Sequence, residues 1–174
     1  RSKNLSPWSE KDCMLITYGD SVKSNNKVPL ENLRVLIKEK FPKTFTIIHI
    51  LPFFPYSSDE GFSVKNFYEV NNCLGEWSDI KAISNDYLVM SDLVINHMSS
   101  ESKWFQNFLK GKEKGKNFFL KVDSAIDLRK VFRPRASSIS KKVELNGKTE
   151  NVWCTFSHDQ VDFDFKNPDV IREF

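Results

Sequence analysis

Alternation of apolar and helix-like segments over the first hundred or so residues limits the folds open to this chain. Three apolar runs contain little polar alternation, which is typical of strands covered on both faces. These runs are residues 14–18, 45–51 and 87–95. Helical spacing of apolar residues follows each run, within residues 29–41, 76–83 and 104–108. The order β-α-β-α-β-α predicts an α/β fold with a parallel sheet, and both a doubly wound sheet and a TIM barrel have this order.

The pattern changes after Gly115. Residues 117–165 have no helical period, and Asn146-Gly147 between apolar segments predicts a β-hairpin. We therefore expect a β-rich excursion from the α/β scaffold. Asn167-Pro168-Asp169 then combines a capping residue, a first-turn proline and an early acid, which predicts a helix start. Because the sequence stops soon afterwards, we expect a truncated fold.

Composition excludes several classes of function. Lys and Arg exceed Asp and Glu by only three charges, so there is no strong electrostatic case for a nucleic-acid partner. No apolar run approaches the roughly 18 residues that span a bilayer, and no secretory signal opens the sequence, so we expect no membrane partner. The three cysteines, Cys13, Cys73 and Cys154, have no metal-ligand spacing. They predict free thiols in a reducing compartment and a cytoplasmic protein.

Polar residues after the second and third apolar runs are the first candidates for a binding site, because ligands collect at the carboxyl ends of parallel strands. Asp59 and His97 follow these runs, and Phe62 lies near Asp59. An acid, an imidazole and an aromatic ring would suit a sugar, since the polar groups bond hydroxyls and the ring packs on the apolar sugar face. Alternatives remain open: Asp59 as a turn residue, His97 as a strand cap and Phe62 as core. Asp92, inside an apolar run, predicts a structural hydrogen bond.

Four segments resemble, in family order, the sucrose phosphorylase branch of the α-amylase superfamily, glycoside hydrolase family 13. Residues 51–64 (LPFFPYSSDEGFSV) resemble the region after the second strand, and residues 92–97 (DLVINH) the first conserved region. Residues 133–135 (RPR) and 153–162 (WCTFSHDQVD) resemble the inserted domain. The first segment is more similar to the glucosylglycerate-phosphorylase-like members than to the sucrose enzymes.

The resemblance implies the N-terminal part of a TIM (β/α)8 barrel with a β-rich domain B inserted after strand 3. The expected domains are three β/α units over 12–116, domain B over 117–163, and a return to the barrel over 164–174. A complete barrel takes about 250 residues, so we expect less than one barrel domain here.

The resemblance also implies an enzyme, a glycosyltransferase of the disaccharide phosphorylase type. Its reaction is retaining transfer of an α-glucosyl group from a small α-glucoside, sucrose or glucosylglycerate, to inorganic phosphate. Phosphate is a co-substrate, and no cofactor or metal is implied. The nucleophile and the acid/base are expected beyond Phe174, so no catalytic residue is assigned here and the isolated chain should be inactive. A hydrolase of the same superfamily and a non-catalytic sugar-binding remnant are alternatives, and the oligomeric state is left open.

Six residues match substrate-binding positions of the family. Asp59, Phe62 and His97 match the donor-sugar subsite, and Gln160 matches a polar residue that domain B places at the pocket. Arg135, with its neighbour Arg133, matches the phosphate or acceptor side. A planar guanidinium suits phosphate better than lysine does, although a solvated loop is the alternative for both arginines.

Overall fold

The structure, a computed structural model, describes residues 9–24, 27–123, 125–133 and 135–174. It forms two compact units, and each is described separately. The first unit runs through Phe53 and resumes over Glu69–Asp92, and the second comprises Phe54–Tyr68 and Leu93–Phe174. The domain boundaries expected from the sequence stay a prediction.

A three-stranded parallel sheet with two helices makes up the first unit. Its strands are β1 (Met14–Thr17), β2 (Ile47–Ile50) and β3 (Leu88–Ser91), in the order β1-β2-β3. Its helices are α1 (Pro29–Lys40) and α2 (Trp77–Asp86). The predicted β-α-β-α-β order is confirmed for this part of the chain, and the sheet is parallel as expected.

Both helices begin where the sequence predicts, and α1 buries apolar residues of its predicted face. Pro29 opens α1, where its missing amide hydrogen costs nothing. Leu33 and Ile37 of α1 are buried one turn apart. Helix α2 begins with a reciprocal cap, in which the Glu76 amide donates to Asp79 Oδ2 at 2.8 Å.

The prediction of three strands buried on both faces is confirmed for β2 and wrong for β1 and β3. All four residues of β2 are buried. In the edge strands, however, Ile16, Leu88 and Met90 are 59%, 50% and 45% exposed. Among the described residues only β2 has a strand on each side, so its neighbours lack the cover that a middle strand receives.

The third apolar run also proves shorter as a strand than predicted, because β3 ends at Ser91. Asp92 accepts a hydrogen bond from His49 of β2, with 2.9 Å between Nε2 and Oδ2. This bond gives the acid the structural partner that the sequence predicts. A tight turn follows, in which the Ile95 amide donates to the Leu93 carbonyl at 2.9 Å. His97 therefore does not cap the third strand but begins a new one.

The second unit contains two small antiparallel sheets. One pairs β4 (His97–Ser99) with β7 (Gln160–Asp162), and the other pairs β5 (Ser140–Leu145) with β6 (Lys148–Trp153). The predicted hairpin is confirmed, since Asn146 and Gly147 join β5 to β6 with φ of 51° and 77°. Two positive φ values are what a type I′ turn requires.

Two helices complete the second unit. Helix α3 spans Lys103–Leu109, and the Ser102 side chain caps it by accepting from the Phe105 amide at 3.1 Å. Helix α4 spans Pro168–Glu173, and Asn167 caps it as predicted. An aromatic-rich core lies beneath these elements. Its buried members include Met98, Trp104, Phe105, Phe108, Phe119, Val152, Val161 and Phe163.

Candidate functional site

A strained turn presents Asp59 in the second unit. Asp59 and Glu60 have φ of 56° and 50°, and Gly61 has φ of 103°. A left-handed φ costs about 1 kcal/mol or more at a residue that carries a side chain. Two such residues in succession need restraint from their surroundings. Part of it is local, since the Ser57 amide donates to the Ser63 carbonyl at 3.0 Å across the turn.

The β4–β7 pair presents a polar face and buries an apolar one. His97 lies opposite Asp162, and Ser99 lies opposite Gln160. Side chains alternate between the faces of a strand, so these four residues share one face. The residues between them, Met98 and Val161, are buried in the apolar core. The apolar pair therefore anchors a row of polar side chains.

The Gln160 side chain lies close to both Asp59 and His97. Gln160 Nε2 donates to Asp59 Oδ2 at 2.8 Å and lies 3.1 Å from His97 Nε2. Gln160 and His97 are only 2% and 5% exposed, whereas Asp59 is exposed. The second carboxylate oxygen of Asp59 has no protein donor among the described residues and is available to a ligand hydroxyl.

His97 is held as a neutral imidazole. Burial lowers its pKa, and the Phe62 carbonyl and three nearby carboxylates oppose this shift only in part. Its Nε2 lies 3.0 Å from the Phe62 carbonyl oxygen, which can only accept, so Nε2 carries the proton. Its 3.1 Å approach to Gln160 Nε2, which is also a donor, is then a packing contact and not a hydrogen bond. Nδ1 is then the acceptor and faces the Asn96 amide at 3.5 Å.

The aromatic neighbour of His97 is not the one expected. Phe156 lies edge-on to the imidazole with 5.0 Å between ring centroids, and it is 37% exposed. Phe62 is half-buried, and its carbonyl is the group that contacts His97. The role of the Phe62 ring against a sugar stays a prediction, and Phe156 joins it as a candidate.

Asp162 has a structural position beside this group. It is buried, and its Oδ1 accepts from the Thr155 amide at 3.0 Å. Its Oδ2 accepts from the Thr155 hydroxyl at 2.5 Å and from the Asn96 amide at 3.3 Å. Burial raises the pKa of this carboxyl, and the bonds from Thr155 offset part of that rise. With its oxygens occupied, Asp162 supports Asn96 and Thr155.

Asp159, next to Gln160, is surrounded by serine hydroxyls. Its Oδ2 accepts from Ser57 and Ser58 at 2.5 Å and from Ser63 at 2.7 Å, and its Oδ1 accepts from Ser100 at 2.9 Å. Burial alone would raise its pKa, but these four hydroxyls outweigh that effect and lower it to about 2. Asp159 is therefore an anion at every pH near neutrality.

The two arginines lie at a different place in the second unit. Arg133 donates from Nη1 to the Thr155 carbonyl at 2.7 Å and from Nη2 to the Ser137 carbonyl. Arg135 is exposed and forms no ion pair among the described residues. Pro134 between them lies outside the described residues. Both arginines line a cavity of about 350 Å³. Its other lining residues are Leu128, Val131, Phe132, Ser137, Ser138, Ile139 and Ser140.

The structure thus brings together part of the predicted site. Asp59, His97 and Gln160 meet through side chains, and Phe62 joins them through its carbonyl. The arginines line a cavity whose described lining includes none of these residues. The sequence analysis missed Asp159, although serine pairs at 57–58 and 99–100 were a compositional hint.

Comparison with known proteins identifies the family. The family described as alpha amylase, catalytic domain, matches residues 43–174. The chain belongs to the α-amylase family. A crystal structure of sucrose 6F-phosphate phosphorylase from Thermoanaerobacter thermosaccharolyticum superposes with a TM-score of 0.83 and 31% identity. That match covers 99% of this chain and 37% of the other. The fold is accordingly the N-terminal part of the family's TIM barrel with the β-rich insertion after strand 3.

Two glucosylglycerate phosphorylases are among the relatives of this α-amylase-family chain. Those of Allomeiothermus silvanus and Spirochaeta thermophila are each 44% identical to it, over 95% and 96% of its length. The chain spans only 30% and 28% of these relatives.

The described part of the chain lacks two further features. None of its helices is long and apolar enough to cross a membrane. Nor does this part contain three His, Cys, Asp or Glu side chains grouped to hold a metal ion.

Proposed function

We propose that the protein containing this chain transfers an α-glucosyl group from a small α-glucoside to inorganic phosphate, giving α-glucose 1-phosphate. The observation that carries the proposal is the cluster of Asp59, His97 and Gln160 in a chain of this family, in which Gln160 donates to Asp59 and lies against His97. The names of the relatives support phosphate as the acceptor. Glucosylglycerate is the preferred donor, because the relatives with that activity are the more similar in sequence.

The residues of this chain bind and orient the glucosyl group. The free oxygen of Asp59 accepts from a sugar hydroxyl, and Gln160 fixes the plane of the carboxylate through the other oxygen. A neutral His97 adds no charge beneath the sugar, and Phe62 or Phe156 supplies an aromatic face. These groups preorganise the donor pocket.

The chemical steps use carboxylates that the family resemblance places beyond Phe174. One carboxylate attacks the anomeric carbon while an acid protonates the departing oxygen, and a phosphate oxygen then displaces the carboxylate; the two inversions give net retention. Arg135 is the candidate contact for phosphate, because its exposed guanidinium lines the cavity. Arg133 as a ligand contact remains a prediction, and its bonds to carbonyls hold the loop that carries Arg135.

The test is an assay of the full-length protein with glucosylglycerate, sucrose and sucrose 6-phosphate, each with and without phosphate. We expect phosphate-dependent release of glucose 1-phosphate, fastest from glucosylglycerate, and no turnover by the 174-residue chain alone. Asp59→Asn should lower kcat/KM roughly 10- to 100-fold, as expected for losing a charged hydrogen bond to substrate. Asp169→Asn is the matched control at an exposed helix residue and should stay within about twofold.

The same assay separates the alternatives. Release of free glucose at equal rates with and without phosphate would favour a hydrolase of the same family. Sugar binding without turnover of any of the three donors would favour a non-catalytic remnant. Turnover by the 174-residue chain would contradict the placement of the catalytic carboxylates.

We propose a cytoplasmic location for the protein, with the α-glucoside and phosphate as its substrates and with no nucleic-acid or membrane partner. Support for the location comes from the cysteines, all three of which are free thiols. A reducing compartment keeps such thiols unpaired. Fractionation of cells that express the full-length protein tests the location.

A further inference from the structure

The serine-surrounded carboxylate of Asp159 joins two segments of the second unit. Its Oδ2 accepts only from serines of the loop that carries Asp59, namely Ser57, Ser58 and Ser63. Its Oδ1 accepts from Ser99, the last residue of β4, and from Ser100, which follows it. Each oxygen therefore binds one segment, and the carboxylate connects them.

The Oδ2 contacts lie on both sides of the strained turn. Ser57 and Ser58 precede the left-handed residues, and Ser63 follows them. A single anionic oxygen thus fixes both ends of the turn that presents Asp59. Bonds from hydroxyls to a carboxylate are among the stronger hydrogen bonds in proteins. They are well suited to hold a backbone conformation that side chains disfavour.

Asp159 also helps to position Gln160, the hydrogen-bond donor to Asp59. It immediately precedes Gln160, whose amide nitrogen donates to Asp59 Oδ2 at 2.8 Å. The backbone is tied at the same place, because the Ser100 amide donates to the Asp159 carbonyl at 2.7 Å. Asp159 consequently fixes both Asp59 and Gln160, the two residues that this hydrogen bond joins.

A carboxylate accepts about four hydrogen bonds, and Asp159 already receives five from hydroxyls. It has no acceptor capacity left for a sugar hydroxyl and no proton to give. Because its acceptor sites are filled, Asp159 does not bind or protonate the substrate. It acts by holding the residues around it in place.

We propose that Asp159 is a positioning residue for donor binding, which holds Asp59 in its left-handed turn and aligns it with Gln160. The inference rests on the proposed function, because its kinetic consequence is weaker binding of the α-glucoside. On this proposal, part of the binding of the donor depends on a residue that does not touch the donor.

The decisive variant is Asp159→Asn in the full-length protein, assayed for phosphorolysis of glucosylglycerate. The amide keeps the shape but loses the charge and half of the acceptor capacity. We expect KM for the donor to rise about tenfold with kcat changed less than about threefold, since binding is lost equally in ground and transition states. Asp169→Asn, the same chemical change at an exposed site, should leave both constants unchanged.

Two serine variants separate positioning from general stabilisation. Ser63→Ala removes a bond on the Asp59 side and should raise KM several-fold. Ser100→Ala removes the shorter of the two bonds to the other oxygen and should lower the melting temperature while KM stays within about twofold. Equal KM values for the two variants, or a fall in kcat alone for Asp159→Asn, would overturn the proposal.

Amide hydrogen exchange tests the restraint on Asp59 without the phosphorolysis assay. The Phe62 amide donates to the Asp59 carbonyl at 3.0 Å inside the turn, and its exchange should accelerate at least tenfold in Asp159→Asn. Faster exchange in a protein that phosphorolyses no α-glucoside would support the restraint on Asp59 and overturn the proposed function. An active protein whose exchange and KM are both unchanged would overturn the restraint.

Discussion

Acid should remove the stabilisation that Asp159 supplies, and the size of the effect follows from its surroundings. The carboxyl has a pKa of about 2 in the fold, against 3.8 for an unperturbed aspartate. That difference corresponds to about 2.4 kcal/mol, at about 1.36 kcal/mol per pKa unit. The side chain is only partly buried, so solvent screening reduces the expected contribution to about 1.5 kcal/mol.

The direction of the pH dependence of stability follows from the lowered pKa of Asp159. The folded state binds the proton more weakly than the unfolded state, so the stabilisation is fully present above pH 3.8 and is lost as pH falls through about 2. Linkage gives about half of the effect remaining near pH 3. At neutral pH, Asp159→Asn should therefore lower the free energy of unfolding by about 1.5 kcal/mol.

The measurement is urea unfolding of the full-length wild type and Asp159→Asn at pH 7, 4 and 3, at constant ionic strength. The difference in unfolding free energy between wild type and Asp159→Asn at pH 3 should be about half of the difference at pH 7. Asp169→Asn, at an exposed carboxylate, provides the control for general acid effects. A difference between wild type and Asp159→Asn that stays constant down to pH 3 would refute the reasoning.

Two further predictions concern the thiols and a helix cap. Burial raises the pKa of Cys154 to about 12, whereas Cys13 and Cys73 are exposed. A thiol reagent at pH 8 should therefore modify two cysteines of this chain rapidly and Cys154 only on unfolding, which peptide mass mapping can check; rapid labelling of Cys154 would contradict its burial. Asn167→Ala should lower the free energy of unfolding by about 1 kcal/mol, because the Asp169 amide loses its acceptor at the start of α4. Thermal unfolding beside Asn167→Ser, which keeps a capping oxygen, measures that loss, and equal melting temperatures would argue against the cap.

Local pattern was enough to predict the β-α-β-α-β order of the first unit and the hairpin of the second. Helix α1 followed from a proline start and apolar residues at helical spacing, and the β5–β6 hairpin followed from Asn146-Gly147. Both signals depend on backbone preferences within a few residues. The burial of the edge strands could not be predicted in this way, because it depends on which strands lie beside them.

The candidate site required more than local pattern. Asp59 and Gln160 lie 101 positions apart in the sequence, and only the family resemblance related them before the structure did. The pairing of β4 with β7 joins similarly distant residues. Asp159 was missed because its importance comes from hydroxyls on two separate segments, and neither segment is unusual by itself.

The open sheet of the first unit has a consequence for handling the 174-residue chain by itself. Among the described strands, β1 and β3 each pair on one side only, and their apolar side chains Ile16, Leu88 and Met90 remain exposed. Exposed strand edges of this kind recruit other strands. We therefore expect the isolated 174-residue chain to self-associate through β1 and β3.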